Sequence, residues 1–133
     1  AYWFASKGGI VMKTWIVACA ALAGLMFAGA AAAGQCGYRY CWGAVGFGPG
    51  GAHGYAYGQS SEQAAYNVAA EGCGWDCTNI KTFHNACAAM AVGHDGGWGW
   101  AHDSTRARAE TAALNHCGQN AKTCRVVVWS CSR

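Results

Sequence analysis

The chain has 133 residues, a formal net charge of +3, 11% charged residues, 20 glycines and 9 cysteines. That length allows one small domain with a modest core. Over Gly34–Arg133, seven Lys and Arg stand against six Asp and Glu, a net of +1; without a clustered basic face no nucleic-acid partner is expected.

Ala1–Val11 precede Met12 and are read as a non-native extension. Residues 12–33 read as a signal peptide. Lys13 gives the positive start, Trp15–Phe27 the apolar run, and Ala31-Ala32-Ala33 the small-residue end, predicting cleavage after Ala33. The competing reading is a retained anchor, because Thr14–Ala33 has about the ~20 residues that span a bilayer. Cleavage is preferred, since the second half is Ala-rich and weakly hydrophobic. The mature chain is then secreted or periplasmic, with no membrane attachment.

The rest, residues 34–133, is read as one domain. Trp42–Phe47 is strand-like, Gly48-Pro49-Gly50-Gly51 is a turn cluster, and Gly54–Gly58 returns as a hairpin arm. Ser60-Ser61-Glu62-Gln63 supplies a capping box with Ser60 as the cap, opening an Ala-rich helix that ends near Gly72. Thr78–His84 is a strand, Asn85-Ala86 a bend, Cys87–Val92 a strand, and His94–Gly97 a hairpin turn before Trp98. A second helix runs from about Thr105 to His116, capped by Asp103 or Ser104. Arg125–Trp129, the most β-prone run, is expected to be a central strand buried on both sides.

The order strand, strand, helix, strand occurs twice, over about 42–86 and 87–131. Ser60 and Ser104, Cys73 and Cys117, and Cys87 and Cys131 each stand 44 apart. The expected fold is α+β: internally duplicated ββαβ units forming a mixed six-stranded sheet with two helices on one face, stapled by disulfides. The helix faces expected to pack are Ala65, Val68, Ala69 and Gly72, then Ala109, Ala112, Ala113 and His116.

Cys36, Cys41, Cys73, Cys77, Cys87, Cys117, Cys124 and Cys131 are even in number behind an export signal, which predicts a disulfide framework rather than a metal site. Eight cysteines permit 105 pairings, and the repeat selects among them. The helix-end cysteine pairs with the one opening the next strand, giving Cys73 with Cys77 and Cys117 with Cys124. Cys36 and Cys41 staple the N-terminal arm. Cys87 and Cys131, as mates of the two copies, are expected to bridge the halves.

Trp42-Gly43-Ala44, the Tyr55/Tyr57 strand, Asn85-Ala86-Cys87, Trp98-Gly99-Trp100, the helices ending in Cys73 and Cys117, and Cys124–Trp129 resemble the small exported bacterial proteins grouped as domain-of-unknown-function family 4189. The resemblance spans Trp42–Cys131 and implies secretion and this architecture, with no established activity to carry onto any position. The Gly48–Gly51 run and the Cys36 and Cys41 pair are additions to its pattern.

Tyr55 and Tyr57 share one side of a strand, as do Trp98 and Trp100. Facing away from the helices, these pairs form a platform for sugar rings or peptide; facing them, they fill space left by alanines. Trp42, Trp75 and Trp129 are read as packing. The five histidines His53, His84, His94, His102 and His116 show no metal-binding spacing, and no cofactor is expected. Ser60 and Ser104 are better read as caps than as nucleophiles, and Glu62, Glu71 and Glu110 as outward helix residues. The functional expectation is a monomeric binding or inhibitory module for a protein or cell-wall glycan, more a binder than an enzyme. A small envelope hydrolase and a structural envelope component without a ligand are the alternatives.

Overall fold

The computed structural model describes residues 34–133; the expected extension at 1–11 and signal peptide at 12–33 lie outside the described residues. The elements are β1 (Trp42–Phe47), β2 (His53–Gln59), α1 (Glu62–Gly72), β3 (Asn79–His84), β4 (Ala86–Val92), β5 (Trp98–Asp103), α2 (Arg106–Gly118) and β6 (Arg125–Ser132). Their number, type and order match the sequence reading.

Their arrangement does not. Instead of one mixed sheet there are two three-stranded sheets, ordered β2-β1-β3 and β5-β4-β6, and every strand pairing in them is antiparallel. Each helix crosses between two parallel strands, but those strands flank a central one and never touch in the ladder. The helices also lie on opposite outer faces rather than on one. Ala44 and Ala56 pack on Ala65 and Ala69 of α1, whereas Cys87, Ala89, Ala91 and Ala101 pack on Ala109, Ala113 and Cys117 of α2. Between the sheets lie Val45, Phe83, Ala86, Ala88, Met90 and Val128.

The layers therefore run α1, first sheet, second sheet, α2. The physical reason is that β1 and β4 are apolar on both faces, so each needs a helix on one side and a sheet on the other. β6 is correspondingly an edge strand, not the expected central one, and Trp129 on it is 40% exposed. Its valines mark it as a strand without fixing its place in the sheet.

Asn85, the single residue between β3 and β4, turns the chain from one sheet into the other. Its φ is 51°, a left-handed conformation that asparagine tolerates better than most residues. Its side chain accepts from Cys41 N at 2.9 Å and donates to Arg39 O at 3.2 Å.

Both caps lie further along the chain than expected, by one residue in the first helix and by one or two in the second. Ser61 accepts from Ala64 N at 3.1 Å, and Thr105 from Arg108 N at 3.3 Å, in place of Ser60 and of Asp103 or Ser104. The buried helix stripes run Ala65, Ala69, Cys73 and Ala109, Ala113, Cys117. Val68, Gly72 and His116, expected inside, are exposed, because four-residue steps lead each stripe to its cysteine.

All four expected cysteine pairs are bonded: Cys36–Cys41, Cys73–Cys77, Cys87–Cys131 and Cys117–Cys124. One expectation about them fails. Cys87 and Cys131 are register partners on β4 and β6, so their bond ties neighbouring strands of the second sheet and does not join the halves. Among the described residues no helix is long and apolar enough to cross a membrane.

Candidate functional site

Strand alternation positions the aromatic residues. On β2, Gly54 and Ala56 face α1, and a Cβ on Gly54 would collide with the Ala69 carbonyl; Tyr55 and Tyr57 consequently face the other way. They are 53% and 63% exposed. Their rings lie nearly parallel, with centroids 6.5 Å apart and planes inclined by 11°. These tyrosines and His53 line two grooves. One, about 510 Å³, runs beside Val127–Cys131 of β6. The other, about 700 Å³, lies on the α1 side with Val68 and Glu71.

The close approach of β6 to β2 explains the exposure. Ser130 Oγ donates to Ala56 O at 2.8 Å, and Gly58 N donates to Ser132 Oγ at 2.9 Å. Both serines are buried. A seam closed by small hydroxyl groups leaves no room for phenol rings beneath it, so the rings stay outside.

Trp98 and Trp100 on β5 also face away from their helix, but they are only half-exposed. Both pack against the layer between the sheets. Phe47 meets Trp98 edge-on at 5.5 Å, and the Lys81 ammonium lies 6.0 Å from the Trp98 ring and 5.7 Å from that of Trp100. The two aromatic pairs are thus unequal. The packing also sets their correspondence: Gly99 meets Ala113 O and Cys117 N as Gly54 meets Ala69 O and Cys73 N. Tyr55 therefore corresponds to Trp100.

Two tryptophans read as packing behave otherwise. Trp75 is 69% exposed at a φ of 66°, while Trp129 lies on the surface beneath the Arg106 guanidinium, 3.7 Å from its ring centre. Trp42 is half-buried against the α1 layer. Sequence spacing gave no signal for the exposure of Trp75, which follows from the loop after α1.

The polar groups do not converge. His53 contacts Gly51 O at 3.1 Å, and His84 sits 4.8 Å from the rings of both Tyr40 and Trp42. His116 Nδ1 lies 2.8 Å from Trp100 O, so this nitrogen carries the proton. A groove of about 770 Å³ beside β5 contains His102, His116, Gln119 and Asn120, and its lining has no carboxylate, serine or cysteine. Among the described residues no three His, Cys, Asp or Glu side chains are placed to hold a metal ion. Glu62 accepts from Thr82 Oγ1 at 2.7 Å, and Glu110 pairs with Arg106 at 2.6 Å. The Ser104 backbone N–H holds the Asp103 carboxyl below its usual range, helped by the Ser104 hydroxyl and by Arg108 and His102. These are surface contacts of strand and helix ends.

A small disulfide-bonded α+β domain with an exposed aromatic strand is the class so defined. The chain belongs to the family described as Domain of unknown function (DUF4189), whose model matches residues 42–131. Among solved structures it is similar to the NMR structure of Rv1813c from Mycobacterium tuberculosis, with 32% identity, a TM-score of 0.54, and coverage of 68% of this chain and 74% of that one. No curated protein matches the chain.

Proposed function

We propose that the protein is an exported, disulfide-stabilised binding or inhibitory module that engages a protein or a cell-wall glycan through the β2 face. The observation carrying this reading is the exposure of Tyr55 and Tyr57 as parallel rings between two grooves. Rigid aromatic side chains offer large contact area at small entropic cost, and a folded domain seldom leaves two side by side in water without use. Trp98 and Trp100 contribute at the margin, since packing already occupies much of their surface. The four disulfides fit an oxidising compartment. The same reading treats the two ββαβ units as an internal duplication, supported by their shared strand order and the matching glycine contacts at Gly54 and Gly99.

The test is retention of the oxidised protein on purified peptidoglycan and on immobilised envelope proteins. Replacing both tyrosines, Tyr55→Ala with Tyr57→Ala, is expected to abolish retention. The Trp98→Ala and Trp100→Ala pair should weaken it only modestly. Unchanged retention of the tyrosine double variant would sink the reading.

A further inference from the structure

We propose that the Tyr55–Tyr57 face takes a cationic side chain, a lysine or arginine of a protein partner; this rests on the reading of that face as the binding surface. The ring centroids are 6.5 Å apart, so a group midway between them lies within the ~6 Å reach of both π faces. Tyrosine faces are electron-rich and attract positive charge. Glu71 lines the same groove as the two tyrosines, and no lysine or arginine does. A cation there gains from the rings and from the carboxylate together, whereas a neutral sugar gains little from the charge of Glu71.

The molecule already uses this chemistry at its other aromatic pair. Lys81 of β3 stands over both Trp98 and Trp100. Lys81 is the register partner of Val45, and the corresponding partner of Met90 in the second sheet is Val128. The strand that lies against Tyr55 and Tyr57 thus presents valine where the other presents lysine. Among the described residues no lysine or arginine lies over either tyrosine ring. Arg133, near Tyr57 in a neighbouring groove, is held by Ser104 O and Cys87 Sγ. The pair keeps an open place for a positive charge from outside the domain.

The test follows the Tyr55 and Tyr57 ring proton resonances of the full oxidised protein as a Gly-Lys-Gly-Lys-Gly peptide is added, with an N-acetylglucosamine tetramer as the second arm. The peptide is expected to shift both rings. Tyr57→Leu should weaken peptide binding about three- to fivefold, while Tyr57→Phe, which keeps the ring, stays within about twofold. Glu71→Gln should weaken it about twofold and flatten its salt dependence. Both tyrosines and Glu71 are exposed, so these variants fold. Shifts with the sugar alone overturn the cation proposal and leave the binding face standing; shifts with neither overturn both. Equal peptide affinity in Tyr57→Leu and the unaltered protein also overturns it.

Discussion

The two sheets thread the chain identically and finish the same positions with different chemistry. Where β1 meets β3, Trp42 stands opposite His84 with ring centres 4.8 Å apart; at the corresponding place Cys87 stands opposite Cys131 in a disulfide. On the outer strands, Tyr55 is exposed, while its counterpart Trp100 is half-buried beneath Lys81. The β2 and β5 patterns are nearly the same, glycine or alanine toward the helix and aromatic away from it. What differs lies across the gap between the sheets: serines seal one side, and a lysine with Phe47 leaves the other wide enough for indoles. Burial of an edge-strand aromatic is decided by the opposite sheet, not by its own strand.

The comparison is most severely challenged by removing the staple that only the second sheet has. Replacing Cys87 and Cys131 by alanine opens a loop with a sequence separation of 44 and is expected to cost about 4 kcal/mol. The Cys36–Cys41 bond, with a separation of 5, should cost about 2 kcal/mol on the same reasoning. Urea denaturation measures both, and equal losses would break the distinction. Gly54→Ala and Gly99→Ala should each destabilise by about 1 to 3 kcal/mol, because the new methyl meets helix backbone in both halves. Similar losses sharpen the equivalence of the two positions.

Trp100→Ala is expected to cost about 2 kcal/mol, against less than about 0.5 kcal/mol for Tyr55→Ala. Equal values would mean that the second edge is as open as the first. Lys81→Met should cost about 0.5 to 1 kcal/mol, with a change in tryptophan fluorescence. The smallest effect is expected at Asp103. Because its pKa is lowered in the fold, its contribution is present above the ordinary carboxylate value and fades as pH falls through the lowered one. Asp103→Asn should therefore lower Tm slightly at neutral pH, converge with the unaltered protein at acid pH, and so flatten the acid side of a Tm-against-pH profile.

Much of the fold was legible in short-range pattern. The Gly48–Gly51 and His94–Gly97 turns, the strand at Trp42–Phe47 and the Cys36–Cys41, Cys73–Cys77 and Cys117–Cys124 pairs follow from spacing over a few residues. The partition into two sheets did not, because strand partners are chosen over long sequence separations. Alternation on β1 shows two apolar faces but not whether the second is covered by a helix or a sheet. The pairing of Cys87 with Cys131 was legible, but its location was not: counting from the helices set Cys87 against Cys131, whereas the strand register sets Cys87 against Trp42. The tyrosine and tryptophan pairs were visible as candidates. Their inequality depended on Ser130, Ser132 and Lys81, none of which carries a signal in sequence.

The single crossing at Asn85 has a consequence for how the chain acquires its structure. Each outer layer, helix on sheet, is completed within one side of that residue, so its loops are closed at modest entropic cost. Every contact between the sheets joins a residue before Asn85 to one after it. The middle layer therefore carries the highest contact order in the domain, and its assembly is the step expected to limit the folding rate.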